Sequence, residues 1–116
     1  MRILIDDLRS FADNRDCVVA RSSEEGVKVL GENMLQPIDE LWLDHDLGGD
    51  DEIWPVITLL ETVTFNIGAI YVHTSNPSGA ERMMVALSRQ GYNVTRWSHS
   101  NIWAYHEETI ETSSLG

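Results

Sequence analysis

Short apolar segments alternate with segments of helical periodicity through the first hundred residues of this chain. The apolar segments, interpreted as β-strands, cover residues 2–5, 17–20, 38–43, 68–73 and 92–97. The helical segments cover residues 22–35, 51–63 and 77–92. Strands that alternate with helices are typical of a parallel sheet covered by helices. The sequence therefore predicts a three-layer α/β fold with a five-stranded, mostly parallel sheet, and no helix between its first two strands.

Local signals mark the ends of the predicted helices. Ser22 and Glu25 have the spacing of a capping box at the start of the first helix. Pro55 suits the first turn of the second helix, where a missing N–H group costs little. Asp50 or Asp51 is predicted to cap that second helix, because a carboxylate can accept the free N–H groups of a first turn.

The composition is that of a globular protein with one domain. The chain has 116 residues, of which 42% are hydrophobic and 23% are charged, and this balance fits a single packed core. We assign residues 1–97 to the domain and 98–116 to a C-terminal extension with a flexible end. The single Cys17 excludes an internal disulfide and is predicted to be a small buried residue.

Apolar stretches are too short for a membrane protein. None approaches the roughly 20 apolar residues that cross a bilayer. The first strand follows Met1 directly, which leaves no room for a signal peptide. We therefore expect no membrane association and a cytoplasmic location.

The charge is strongly negative and unevenly distributed. Eight Lys and Arg residues stand against nineteen Asp and Glu residues, for a formal charge of −11. Fourteen of these nineteen acids lie between Asp6 and Glu52. Such a surface repels the phosphate backbone of nucleic acids, so the composition argues against a protein that binds duplex DNA. A metal site and a surface for a basic protein partner both remain open.

Polar side chains follow three of the predicted strands. They are Asp6 and Asp7 after the first strand, Asp44, His45 and Asp46 after the third, and His73, Thr74, Ser75 and Asn76 after the fourth. In open parallel sheets, ligands bind at the carboxyl ends of the strands, where these residues would meet. Carboxylates gathered there repel one another unless a cation neutralises them. Asp6, Asp7, Asp44 and Asp46 are therefore candidate ligands of a divalent cation, and oxygen ligands suit magnesium or manganese.

Each of these motifs also has a purely structural interpretation. A strand that ends in Asp can simply turn into solvent, and a histidine that closes a strand can be a packing residue. Asn76 followed by Pro77 is the usual pattern of a helix N-cap. The aromatic residues near the C-terminus, Trp103 and Tyr105 among them, are predicted to pack as core or lid rather than to form a base-stacking platform, and no role is assigned to His106.

Three motifs resemble those of a known family. They are IDDLR at 5–9, LDHDLGG at 43–49 and HTSNPSG at 73–79. In this order they resemble receiver domains of two-component signalling, and more specifically the cyclic-phosphate-processing receiver domains of bacteria and phages. The resemblance covers most of residues 1–97. It implies a flavodoxin-like or receiver-like sheet, shortened by loss of the first helix, with a metal-supported pocket for a cyclic or terminal phosphate.

The chain also departs from ordinary receivers. They use a lysine after the fifth strand to contact the phosphoryl group, and this chain has no lysine beyond Lys28. In exchange it has His45 and His73, which are candidate general base and general acid because imidazole titrates near neutral pH. Arg9, with Ser75 and Asn76, is a candidate for holding the phosphate. These features favour hydrolysis over signalling.

The preferred prediction is thus a metal-dependent phosphoesterase-like domain that binds or hydrolyses a cyclic or terminal phosphate of a nucleotide or RNA end. One alternative is a non-enzymatic acidic binding module, or a phage-encoded inhibitor, that docks on a basic partner protein. Another is a receiver that is phosphorylated on Asp44. The His73 ring is expected to be partly buried at the sheet edge. His73→Ala should then leave folding nearly unchanged and lower turnover by about 10²–10⁴-fold.

Overall fold

A computed structural model describes residues 1–105 of the chain. Its strands are β1 (Arg2–Ile5), β2 (Arg9–Phe11), β3 (Val18–Ala20), β4 (Ile38–Leu43), β5 (Ile67–Val72), β6 (Val94–Arg96) and β7 (Trp103–Tyr105). Its helices are α1 (Ser23–Glu32), α2 (Trp54–Thr62) and α3 (Pro77–Arg89). Within residues 1–105, no helix combines the length and the hydropathy that crossing a membrane requires.

Five strands form one parallel sheet in the order β3-β1-β4-β5-β6. Every neighbouring pair in this sheet is parallel. This is the strand order of flavodoxin-like folds, in which the chain reverses direction across the sheet between the first and third strands. The predicted fold class is therefore confirmed, and so is the missing helix between the first two parallel strands.

The three helices cover one face of this sheet. Alternate strand residues such as Ile3 and Ile5 point to this face and are fully buried. They share a core cluster with Leu30 of α1, Ile57 of α2 and Met83 of α3. Side chains alternate between the two faces of a strand, so the intervening residues must be covered by something else.

The opposite face is covered by a small two-stranded sheet. β2 pairs antiparallel with β7, with Phe11 opposite Trp103. Phe11 packs with Leu4 and Trp42 of the main sheet, and Trp103 packs against this cluster. The third layer of the fold is thus a β-ribbon rather than a pair of helices. Trp103 of β7, which follows residue 97, packs on the main sheet.

The N-terminus of α1 is capped from two places. Ser22 Oγ accepts a hydrogen bond from the Glu25 N–H at 3.1 Å, as the capping-box spacing predicted. The carboxylate of Asp51 accepts two further bonds, from the N–H and the hydroxyl of Ser23, at 2.8 and 2.5 Å. The prediction that Asp50 or Asp51 caps the second helix is wrong. The residue before α2 is Ile53, which makes no side-chain cap, because the loop folds Asp51 back towards α1.

The hydrogen bonds from Ser23 to Asp51 connect α1 to the loop before α2, and their contribution to stability can be tested. Asp51→Ala removes the partner of a buried hydroxyl and of a helix N–H group. We expect it to lower the free energy of unfolding by about 1–2 kcal/mol, the usual effect of losing an N-cap side chain. Chemical denaturation would measure the change. The exposed neighbour Asp50 provides the control, since Asp50→Ala should change stability by less than about 0.5 kcal/mol; equal effects would contradict the assignment.

Cys17 lies just before β3 and is only partly buried, not fully buried as predicted. It packs at the margin of the cluster that Leu4, Phe11 and Trp42 form. Desolvation nonetheless raises the pKa of its thiol to about 11. The thiolate, which is the reactive form, is therefore scarce at neutral pH.

Candidate functional site

Three carboxylates meet at the carboxyl ends of β1 and β4. Asp6, Asp7 and Asp44 each offer an oxygen, and these atoms lie within 4.8 Å of one another. The pairing of β1 with β4 aligns Ile5 with Leu43, so the residues that follow these two emerge side by side. The parallel register thus builds the cluster that the strand-end rule predicted for these three acids.

Asp6 is the most constrained member of the cluster. Its side chain is 1% exposed, and Oδ2 lies 2.9 Å from His73 Nε2. Its other oxygen, Oδ1, accepts backbone N–H groups of Leu8 and Arg9, both at 2.8 Å. Burial acts to raise the pKa of Asp6, but the His73 and Arg9 hydrogen bonds outweigh it and hold this pKa below its ordinary value. Asp6 is therefore a fixed negative charge at the base of the site.

Asp7 and Asp44, unlike Asp6, have raised pKa values. Burial and the nearby Asp6 charge raise the pKa of both, and the pKa of Asp44 reaches about 6. The backbone at Gly48 approaches Asp7 closely: a Cβ added to Gly48 would lie 3.1 Å from Asp7 Oδ2. Crowded carboxylates with raised pKa values fit a bound cation, which would offset their repulsion. The donor set contains only oxygen and is of the kind that magnesium and manganese take.

The sequence pattern predicted that His73 lies at a partly open edge of the sheet, but the structure buries it. The residue is 2% exposed, and its ring packs against Trp103 at a centroid distance of 4.7 Å. The β-ribbon closes over this end of β5, and strand periodicity could not reveal that cover. Nε2 faces Asp6, whereas Nδ1 is buried without a hydrogen-bond partner within residues 1–105.

His45 and Asp46 lie outside the carboxylate cluster. The extended strand ends at Leu43, so the chain no longer alternates regularly beyond this residue. The His45 ring is buried against Gly79, with Nδ1 3.0 Å from Asp46 Oδ1. Asp46 is exposed and faces Glu52 across an isolated bridge. His45, Asp46 and Glu52 thus form a second group of nearby ligand atoms, which the sequence pattern did not predict.

The three predicted phosphate-binding residues have different environments. Arg9 Nη1 donates to the backbone carbonyl of His73 at 2.7 Å and lies 3.7 Å from Asp6 Oδ2. Asn76 Oδ1 accepts from the Gly79 N–H at 3.0 Å, so Asn76 is the N-cap of α3. Ser75 is exposed between them. Arg9 and Ser75 border open space, whereas the Asn76 side chain is occupied by its capping role.

A pocket of about 290 Å³ opens beside His73. Its walls include Arg9, Ser75, Arg96, Trp97 and Tyr105. The sequence analysis missed Arg96, although this residue ends the fifth parallel strand at the same edge as the acids. The strand-end rule that selected the acids could have found it. No comparable signal in the sequence pointed to Trp97, because its place depends on the β-ribbon.

Comparison with known protein families identifies a match. Residues 1–89 match the cyclic-phosphate processing receiver domain. No curated protein and no solved structure matches the chain. The matched residues contain all three strand-end motifs but stop before Arg96 and the β-ribbon strand β7.

Proposed function

Since this chain belongs to the family of cyclic-phosphate processing receiver domains, we propose that it binds a divalent cation and hydrolyses a cyclic or terminal phosphate ester of a nucleotide or RNA end. The observation that carries the proposal is the meeting of three carboxylates next to an arginine-lined pocket. The carboxylates supply a cation site, and the pocket supplies room for an anion. Neither element alone would favour phosphate chemistry.

Asp6, Asp7 and Asp44 would hold the cation. When bound, magnesium or manganese would polarise the phosphoryl oxygens and offset the negative charge that develops during hydrolysis. Asp6 is already oriented by three hydrogen bonds, so it contributes a preorganised oxygen. The cation would offset the repulsion that the Asp6 charge exerts on Asp7 and Asp44, and this relief favours metal affinity.

The other residues bind the phosphate and move protons. Arg9, with one guanidinium nitrogen fixed on the His73 carbonyl, presents its remaining donors towards a phosphate oxygen. Ser75 offers a hydroxyl at the same rim. The Asp6 carboxylate orients the His73 ring through Nε2, and this ring would exchange a proton with the substrate. In the overall reaction a water oxygen bonds to phosphorus and the water gives up a proton, while the P–O bond to the ester oxygen breaks and the ester oxygen takes up a proton. His45, packed away from the cluster, has no part in this step.

Metal titration tests the first half of the proposal. Calorimetric titration of the full chain with MgCl₂ or MnCl₂ should show one site. Asp7→Asn and Asp44→Asn should weaken it at least about tenfold, because each removes a charged ligand. Asp46→Asn is the matched control, since Asp46 belongs to the second group of ligand atoms. Loss of metal binding only in Asp46→Asn would place the cation site at His45, Asp46 and Glu52 instead. Absence of binding to the wild-type chain at millimolar metal would remove the basis of the proposal.

The −11 charge supports a second candidate, a non-enzymatic module that binds a basic protein. Its binding would depend on the distributed surface charge rather than on the buried carboxylates. Salt would then weaken partner binding strongly, because exposed charges are screened within about 8 Å at physiological ionic strength. Asp7→Asn and Asp44→Asn would leave that binding nearly intact, whereas they should abolish hydrolysis.

A further inference from the structure

The pocket beside His73 differs in charge from the rest of the protein. The chain as a whole carries −11. The pocket walls hold two arginines, Arg9 and Arg96, and no Asp or Glu of residues 1–105 lines them. Ser75, Ser98 and Ser100, with hydroxyl side chains, also line the pocket. A cationic, hydroxyl-rich cavity in an acidic protein selects an anionic ligand.

Two of the residues that line this pocket each carry a buried nitrogen atom without a hydrogen-bond partner in the described part of the chain. Within residues 1–105, His73 Nδ1 and Trp97 Nε1 are the buried side-chain polar atoms that make no hydrogen bond. Both residues line the same pocket. A buried polar group without a partner is costly and rare in native proteins, so its occurrence in two residues that line one cavity sets this part of the described chain apart.

The same walls present aromatic rings and a guanidinium plane. Tyr105 is 57% exposed, in contrast to the packed Trp103 beside it. The Arg9 guanidinium lies 5.8 Å from the ring centroids of both residues. Trp97 and His99 form a second aromatic pair, with ring centroids 5.4 Å apart. Exposed aromatic faces next to arginine are the surfaces on which unpaired nucleobases stack.

We propose that this pocket binds the nucleoside part of a phosphorylated nucleoside, with the base against Tyr105 and the phosphate at Arg9. The phosphate position rests on the proposed function, because it places the ester beside the carboxylate cluster. The volume of about 290 Å³ lies at the lower end of the range for ligand pockets, so it suits one nucleotide rather than an oligonucleotide. Residues 96–105, beyond the matched residues 1–89, supply Arg96, Trp97 and Tyr105. The C-terminal segment therefore supplies the aromatic surface for the base.

Binding of three probes to the full chain tests this assignment. Adenosine 2′,3′-cyclic monophosphate, inorganic phosphate and adenosine are titrated separately in millimolar magnesium, and calorimetry or tryptophan fluorescence gives each Kd. The cyclic nucleotide should bind at least tenfold more tightly than inorganic phosphate. Tyr105→Ala should weaken the nucleotide by about 10–100-fold, the usual effect of removing one stacking ring, and leave inorganic phosphate unchanged. Tyr105→Phe keeps the ring and should keep the affinity.

The outcomes separate this inference from the proposed function. Equal affinities for the cyclic nucleotide and inorganic phosphate would overturn the nucleoside site, whatever the metal titration shows. So would a Tyr105→Ala protein that is folded by circular dichroism and binds the nucleotide normally. If the nucleotide binds through Tyr105 but is never hydrolysed, the nucleoside site stands and the catalytic proposal fails. Because Tyr105 is mostly exposed, its truncation should leave the fold intact, and Arg96→Gln provides a second variant that should weaken nucleotide binding.

Discussion

His73→Ala is expected to lower the free energy of unfolding by about 3 kcal/mol, because it empties a buried site and leaves Oδ2 of the buried Asp6 carboxylate without its His73 hydrogen bond. For a domain of this size, this corresponds to a fall in Tm of roughly 10–20 °C. Thermal and chemical denaturation would measure it. The sequence alone predicted that His73→Ala leaves folding nearly unchanged. The structure predicts a large loss of stability instead, because the His73 ring packs against Trp103 of the β-ribbon.

A double-mutant cycle separates the Asp6–His73 interaction energy from the energy of packing that His73→Ala loses. The double variant Asp6→Asn/His73→Ala, compared with both single variants, gives the coupling energy between the two side chains. We expect a coupling above about 1 kcal/mol, whereas additive effects would mean that His73 only fills space. His99→Ala is the control, because His99 is exposed. Turnover by the folded fraction of His73→Ala should also fall by about 10²–10⁴-fold if the ring moves a proton.

Asp44→Asn is expected to stabilise the protein without metal by about 2 kcal/mol at pH 7.5. Burial and the Asp6 charge raise the pKa of Asp44 from 3.8 to about 6, so ionised Asp44 destabilises the folded state. The amide removes this charge, and its oxygen can still accept the hydrogen bond from the His45 N–H. Urea denaturation in the presence of a chelator would measure the gain.

The pH dependence has a definite sign. The folded state holds the Asp44 proton more tightly than the unfolded chain does, so between about pH 4 and pH 6 the folded state binds more protons. The contribution of Asp44 to the free energy of unfolding therefore decreases as the pH rises through this window and is constant above it. The Asp44→Asn protein should lack this decrease, and its advantage over wild type should grow from pH 4 to pH 6.

Metal and a surface variant provide the controls. Millimolar magnesium should stabilise the wild-type protein and narrow the difference, because the cation binds the folded state and offsets the repulsion. Asp50→Asn removes an exposed charge outside the cluster and should change stability by less than about 0.5 kcal/mol. An Asp44→Asn protein that is less stable than wild type at pH 7.5 would contradict the crowded-carboxylate description.

The sequence alone predicted the main sheet and the carboxylate cluster because both depend on local patterns. Apolar runs mark the parallel strands, and parallel strands end at a common edge. Asp6, Asp7 and Asp44 therefore had to meet once the strands were recognised. Asp46 was a candidate ligand by the same rule but lies outside the cluster, because the extended strand ends at Leu43. Turn geometry, which no periodicity records, sends Asp46 towards His45.

The strand ends and their acidic residues were thus determined by sequence, because periodicity and strand direction are properties of short segments. The cover of the second face was decided only by tertiary structure. β2 has three residues, and its partner β7 lies at the far end of the described chain. Two such short strands have no stable pattern of their own and become ordered through the packing of Phe11 and Trp103 on the sheet. That packing buries His73 and creates the arginine-lined pocket, which is why neither could be predicted from the sequence.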